Sequence, residues 1–80
     1  MHEIHFLRDL LSDLLADAQK NSIKKISKIY LRMGEMTEIN PEILTHFFRE
    51  HARGTAAEAA EIILEKSSIR ELRLLSYEGE

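Results

Sequence analysis

The residues best suited to chemistry in this 80-residue chain stand at its start, Met1-His2-Glu3. The amine of Met1, the amide nitrogens of His2 and Glu3 and the His2 imidazole lie within one short arc of chain. Four nitrogen donors in one plane suit Ni(II) or Cu(II). We therefore treat Met1, His2 and Glu3 as a candidate metal chelate. The simpler alternative is a solvated histidine near a frayed chain end.

The neighbouring acid and the other histidines each have a metal-free interpretation. Glu3 supplies either a carboxylate beside the metal or a charge that favours the start of a helix. His5 reaches the same ion if the helix starts early, and otherwise is a solvated first-turn side chain. His46 and His51 are not on one helical face, so they do not form a two-histidine clamp. We expect His51 to be partly buried and His46 to be exposed.

No catalytic signature is present in the sequence. There is no cysteine and no G-x-S-x-G turn, and the three glycines form no phosphate-binding pattern. Glu58 and Glu61 have helical spacing but fall on a predicted connector, so a solvated face explains them better than acid–base catalysis. We predict that the protein is not an enzyme. Without cysteine it has neither disulfides nor a thiolate zinc site.

Composition narrows the class of protein further. Eighty residues with 44% hydrophobic and 31% charged side chains are typical of one small globular domain. A net charge of −3 argues against a general nucleic-acid binder, which needs clustered positive charge. No apolar run approaches the ~20 residues that span a bilayer. The start does not resemble a signal peptide, so we expect a cytoplasmic protein with no membrane partner.

The periodicity of apolar residues predicts the elements that position these groups. Spacings of three and four predict a helix over 4–20, and alternation predicts a strand over 23–34 that ends at Gly34. Asn40-Pro41-Glu42 has the capping residue, the proline and the acid of a helix start. Arg53-Gly54 is expected to close that second helix.

The sequence of the last third of the chain predicts two strands, 60–66 and 70–77, on either side of Ser67-Ser68-Ile69. Residues 55–59 suit either helix or a connecting turn, and a short strand at 1–3 remains open. The predicted fold is α+β, with two helices packed on one face of a small mixed sheet of about three strands. The predicted core consists of Leu7, Leu11, Leu14, Ile29, Leu31, Leu44, Phe47, Ile62 and Leu74.

These residues together resemble the hydrogenase nickel-incorporation accessory proteins, the HypA/HybF family. The resemblance lies in the order and spacing of several segments and spans nearly the whole chain. The segments are Met1-His2-Glu3-Ile4, 29–36 ending in Met33-Gly34-Glu35-Met36, 40–44 with Phe47, then Gly54-Thr55 with Glu58 and Ala60, and 71–78.

The resemblance implies a single nickel-binding-type domain over 1–80 that helps deliver Ni(II) to [NiFe] hydrogenase. His2 is the implied ligand, with Met1 and Glu3 contributing backbone donors. The implied partners are a GTPase of the HypB type and the hydrogenase large subunit. The first helix and the metal-bearing terminus are the surfaces expected to meet the GTPase. The alternative is a metal-free interaction module related to that family.

The chain departs from the family between its last two strands. The family carries there a zinc module with two Cys-x-x-Cys pairs, and here Ser67-Ser68 stands in its place, so the module is missing near 67–69 and no zinc is expected. Other departures are Asn40, where the family often has a carboxylate, together with Ala59 and His5. The fold must then rest on the helix–sheet core alone. The open edges of so small a sheet also allow a homodimer.

Overall fold

The elements follow the predicted order helix, strand, helix, strand, strand. The computed structural model describes residues 2–34, 40–69 and 71–80, and for residues 2–4 and 6 it describes the backbone alone. The elements are α1 (His2–Lys20), β1 (Ile26–Gly34), α2 (Pro41–His51), β2 (Glu61–Ser67) and β3 (Leu72–Gly79).

The first helix and the first strand differ from prediction at their amino-terminal ends. The helix already begins at His2, so a short strand at 1–3 is wrong for residues 2 and 3, which form its first turn. Met1 lies outside the described residues. The strand begins at Ile26 and not at residue 23, because the amides of Lys24 and Lys25 both donate to the carbonyl oxygen of Glu80, each at 2.9 Å. These two residues therefore bind the end of the chain and do not extend the strand.

The second helix starts as its sequence predicts. The side-chain oxygen of Asn40 accepts a hydrogen bond from the Ile43 amide at 2.8 Å, and Pro41 occupies the first turn. This cap satisfies one of the amides that a helix start leaves without a partner. The helix ends at His51 with Ala52 as its C-cap, before the predicted closure. Gly54 follows with φ of 74°, a left-handed conformation that turns the chain away.

The ambiguous stretch after this helix is a connecting turn. The Thr55 hydroxyl donates to the Ala52 carbonyl at 2.6 Å, and the Glu58 amide donates to the Thr55 carbonyl at 3.2 Å. A further turn joins the Ala60 amide to the Ala57 carbonyl at 3.1 Å. These tight turns place the chain at the start of β2.

The three strands form one mixed sheet in the order β2-β1-β3. The central strand runs parallel to β2 and antiparallel to β3. Its residues alternate as predicted, because Ile29, Leu31 and Met33 are buried while Lys28, Tyr30 and Arg32 are only half-buried. The predicted fold class, an α+β layer of two helices and a three-stranded mixed sheet, is confirmed.

The core lies between the helices and one face of this sheet. Seven of the nine predicted core residues are buried, whereas Ile62 and Leu74 are only half-buried, because they lie on the two outer strands. Fully or nearly fully buried positions include Leu7, Leu10, Leu11, Leu14, Ala18, Ile26, Ile29, Leu31, Met33, Leu44, Phe47 and Phe48. No helix among the described residues is long and apolar enough to cross a membrane.

The connection from β2 to β3 crosses the carboxyl end of β1. It must do so because β1 lies between these two strands in the sheet. The amide of Gly34 donates to the Glu71 carbonyl at 2.7 Å. A Cβ on Gly34 would overlap the Ile69 carbonyl oxygen, so only glycine allows the connection to pass this closely.

Candidate functional site

The candidate chelate begins in the first turn of α1. The structure places the backbone of His2 and Glu3 in that turn, while Met1 and the side chains of His2 and Glu3 lie outside the described residues. The first amides of an α-helix have no acceptor within the helix. The nitrogens that the chelate needs are therefore not used by the ladder of helical hydrogen bonds.

The helical backbone does have a consequence for a planar complex. Successive residues of an α-helix rotate by about 100° around its axis, since 3.6 residues make one turn. The amide N–H groups themselves run roughly parallel to the axis, so those of His2 and Glu3 do not converge on one point while the helix is formed. To hold one ion in a plane, residues 2 and 3 must leave the helical conformation. End turns fray at low cost, so this change is small.

The carboxyl end of α1 is held against β3. The Tyr77 hydroxyl donates to Asp17 Oδ2 at 2.5 Å, and Tyr77 is the partner of Ile29 across the β1–β3 pair. Since α1 has 19 residues, it is about 28 Å long. Leu7 and Leu14 are both fully buried, so the helix packs on the core along at least two of its turns.

The connection between β2 and β3 is closed by its own hydrogen bonds. The hydroxyl of Ser67 donates to Glu71 Oε2 at 2.6 Å, and the Ile69 amide donates to the Ser67 hydroxyl oxygen at 3.3 Å. Ile69 is 61% exposed at the tip of this connection. These hydrogen bonds join the end of β2 to Glu71, which directly precedes β3.

The other three histidines do not gather into a second site. His5 is exposed on α1, and His46 is exposed on α2 as predicted. His51 is exposed, contrary to expectation, although its ring stacks on Phe47 at a centroid distance of 4.0 Å. Its Nδ1 lies 3.1 Å from the Phe47 carbonyl oxygen. Within the described part of the chain, no group of three or more histidine, aspartate or glutamate side chains is arranged to hold a metal.

Both tyrosines hydrogen-bond to carboxylates, an arrangement that sequence periodicity did not predict. Tyr30 donates to Glu78 Oε2 at 2.8 Å on the open face of the sheet, and Tyr77 donates to Asp17 across the core side. These hydrogen bonds raise the pKa of both phenols above the ordinary 10.0. They hold the tyrosines in the neutral, donating form and tie β3 to β1 and to α1.

A cavity between α2 and β2 is a second feature that the sequence did not reveal. Its volume is about 250 Å³, and Phe48 and Ile62 line it together with Arg49, Glu58 and Glu61. Glu58 and Glu61 were expected to be solvated, and both are exposed. Their spacing in the sequence could not show that both lie at the rim of this cavity. The turn at 55–60 places them there, and its path is set by the hydrogen bonds made within it.

Comparison with known proteins gives one family over most of the chain. The family model described as "Hydrogenase/urease nickel incorporation, metallochaperone, hypA" matches residues 1–72. This range contains α1, β1, α2 and β2, and with them the candidate chelate.

Three curated relatives are each named hydrogenase maturation factor HypA. The protein of Archaeoglobus fulgidus is 36% identical over 72 residues, covering 88% of this chain and 66% of its own length. That of Caldanaerobacter subterraneus is 33% identical, with 79% and 55% covered, and that of Aquifex aeolicus is 30% identical, with 88% and 61% covered. The chain thus spans between about half and two thirds of the length of these relatives.

A solved structure shares the fold. The solution structure of the Ni metallochaperone HypA from Helicobacter pylori superposes with a TM-score of 0.80 and covers 96% of each chain. Its sequence is 15% identical to this one, so the similarity establishes the fold alone.

Proposed function

The chain belongs to the HypA family of hydrogenase and urease nickel-incorporation proteins, and from this we propose that it binds Ni(II) and helps insert it into [NiFe] hydrogenase. The observation that carries the proposal is the family match over residues 1–72, which includes the whole of α1 and its first turn. In this role the metal is cargo to be handed on. The protein is then a binding protein and has no catalytic task.

The proposed site is formed by Met1, His2 and Glu3. The His2 imidazole, the Met1 amine and the amide nitrogens of His2 and Glu3 supply four nitrogen donors, a set that suits Ni(II). The start of α1 at His2 supports this assignment, because its first amides lack helical acceptors. Loading unwinds the first turn, and release allows the turn to form again. The helical conformation of the first turn thus competes with metal binding, and this competition helps the protein to release its ion.

The ligand set determines how metal binding depends on pH and on the identity of the metal. The amine and the imidazole must be unprotonated, and both amide nitrogens must lose their N–H protons, before they bind the ion, so affinity falls as the pH is lowered. A planar nitrogen site holds Cu(II) at least as well as Ni(II), so selectivity comes from metal availability and handover. Glu3 adds a carboxylate near the helix start, where negative charge is favoured.

The partners in this proposal are those of hydrogenase maturation. They are a GTPase of the HypB type, which supports nickel transfer, and the hydrogenase large subunit, which receives the metal. We assign the protein to the cytoplasm on the same basis, and treat it as one nickel-binding domain over 1–80. Zinc is not part of the proposed site, since the chain has no cysteine to form the family's thiolate module.

Nickel titration of protein that starts at Met1 tests the assignment. We expect one equivalent of Ni(II) to bind, measured by calorimetry and by the visible absorption of a planar nitrogen complex. His2→Ala should abolish binding, and one extra residue before Met1 should weaken it severely. His46→Ala is the matched control, because it removes an exposed histidine from another helix and should leave binding unchanged.

Two other results would redirect the proposal. Binding that survives both the His2→Ala change and the amino-terminal extension would place the ion elsewhere. No binding at all to the unmodified protein would favour a metal-free interaction module. The amide resonances of residues 2–5 provide an independent readout, since loading should shift them toward non-helical values.

A further inference from the structure

The two outer edges of the sheet differ in regularity. The order β2-β1-β3 leaves one edge of β2 and one edge of β3 without a neighbouring strand in the described part of the chain. The β1–β3 register shifts twice, between Ile26 and Lys28 and between Tyr30 and Leu31. The β1–β2 register runs without a shift from Lys28–Glu61 to Gly34–Ser67. Irregularities blunt an edge against further pairing, so β2 is the edge that remains a regular template.

A cavity lies directly beside this regular edge. It measures about 250 Å³ and opens between α2 and the start of β2. Phe48 from the helix and Ile62 from the strand supply its apolar lining. Side chains of a strand alternate between the two faces of a sheet. An additional strand along β2 would therefore direct every second side chain toward α2, where this cavity can accept an aliphatic group.

The opposite face of β2 carries two acids. Glu61 pairs with Lys28 of β1 and Glu65 with Arg32, and Ile63 lies between the two acids on the same face. Arg32 forms an ion pair with Glu65 at 3.2 Å, and the Glu65 side chain remains 56% exposed, so it is open to a second cation. Glu61 has no ion-pair partner among the described residues, nor has Glu58 at the cavity rim. Opposite charges facing each other across neighbouring strands are stabilising, so an added strand should present basic side chains here.

From these features we propose that the outer edge of β2, with the cavity beside it, binds an extended segment of a partner polypeptide. The segment adds as a fourth strand and is held by main-chain hydrogen bonds to β2. Its aliphatic side chains face α2, with one entering the cavity over Phe48 and Ile62. Its basic side chains alternate with these and face Glu61 and Glu65. The surface is formed without any contribution from Met1, His2 or Glu3, so it stands independently of nickel binding.

Blocked synthetic peptides test this chemistry directly. The probe is a hexapeptide that alternates valine and lysine, and its charge control alternates valine and glutamate. A third peptide repeats the valine–lysine sequence with alternate backbone nitrogens methylated, which preserves the side chains but blocks strand pairing. Titration of the full 80-residue chain is followed by amide chemical shifts and by hydrogen exchange of residues 61–67.

The expected result has three parts. The valine–lysine peptide binds, slows exchange in β2 and shifts the amides of Thr45, Phe48 and Arg49 along the cavity. The valine–glutamate peptide binds at least about tenfold more weakly, since two favourable cross-strand charge pairs become repulsive. The methylated peptide does not bind. Glu61→Lys should reduce this preference by severalfold, whereas Glu80→Lys, with the same change of net charge, should leave it intact.

Several outcomes would overturn the proposal. One is no binding of the valine–lysine peptide at millimolar concentration. Another is equal binding of the methylated peptide, which would show that side chains act without strand pairing. A third is protection of β2 amides by self-association of the chain without any peptide, seen as a dimer in sedimentation. That result would make a second copy the occupant of this edge.

Discussion

The phenol of Tyr77 on β3 and the carboxylate of Asp17 on α1 are joined by a 2.5 Å hydrogen bond between residues far apart in sequence. Asn21 supports the same carboxylate, because its side-chain amide donates to Asp17 Oδ2 at 3.2 Å. The carboxyl end of the first helix is thus tied to the last strand.

The two tyrosines should both ionise above the normal range. Their hydrogen bonds to Asp17 and Glu78 raise the pKa of each phenol, and the nearby charge of Glu61 adds to the effect at Tyr30. The neutral phenol is therefore favoured in the folded state. The resulting stability is fully present below pH 10.0, the ordinary pKa, and is lost as the pH rises through the folded pKa values.

Near-ultraviolet absorption of tyrosinate measures this directly, since the chain has only two tyrosines. We expect no tyrosine to titrate at its ordinary pKa until the protein unfolds. Tyr77→Phe should halve the amplitude and make stability less dependent on pH in the alkaline range. A phenol that ionises at or below its ordinary pKa in the folded protein would contradict the hydrogen-bonded arrangement.

Gly34→Ala should be strongly destabilising. The new Cβ would overlap the Ile69 carbonyl oxygen and press on the Glu71 amide, and both are backbone atoms that cannot rotate away. We expect a loss of about 1–3 kcal/mol or more in the free energy of unfolding, measured by urea denaturation. The change should also disturb the β2–β3 connection.

Gly54→Ala is the matched control for this substitution. Gly54 has no atoms within 4 Å of an added Cβ, but its φ is 74°. Its cost, about 1–2 kcal/mol, comes from the left-handed backbone alone. Asparagine tolerates that conformation better, so Gly54→Asn should recover part of the loss, while Gly34→Asn should recover nothing. Equal recovery at both sites would show that backbone conformation, and not crowding, explains Gly34.

The capping role of Asn40 predicts a moderate effect. Replacing it with alanine removes the acceptor for the Ile43 amide and should cost about 1 kcal/mol of stability. Asn40→Asp restores an acceptor and adds a negative charge at the positive end of the helix, so it should match or exceed the parent protein. Chemical denaturation of the three proteins in parallel decides the question. A loss in Asn40→Asp as large as that in Asn40→Ala would argue against capping.

Two adjacent residues of α2 should respond very differently to truncation. Leu44 is fully buried, so Leu44→Ala should cost about 2–5 kcal/mol, a large part of the stability of so small a domain. Ile43 is 46% exposed, and Ile43→Ala should change stability by no more than about 0.5 kcal/mol. Thermal unfolding followed by circular dichroism is sufficient to compare them. Similar losses at the two positions would contradict the assignment of Leu44 to the buried face of α2 and of Ile43 to its exposed face.

The sequence predicted the local features of this fold well, because they arise from interactions between residues close along the chain. The start of α2 follows from Asn40 and Pro41, whose cap reaches only to Ile43. The alternation in β1 follows from a side-chain period of two. The start of α1 at His2 was missed, since helix ends depend on small energy differences. The predicted ligands at Met1, His2 and Glu3 remain a prediction, because the structure describes only the helical backbone of His2 and Glu3.

Other features depended on the tertiary structure, since they join segments that no short-range pattern connects. Because β1 lies between β2 and β3, the connection between those two strands must cross its end. This crossing brings backbone so close to position 34 that the residue there must lack a Cβ. The cavity beside β2 and the pairing of Tyr77 with Asp17 depend on the same packing. The sequence alone thus determined the elements, their apolar faces and the candidate metal ligands. The strand order and the surfaces between elements were decided by long-range packing, where many weak contacts act together.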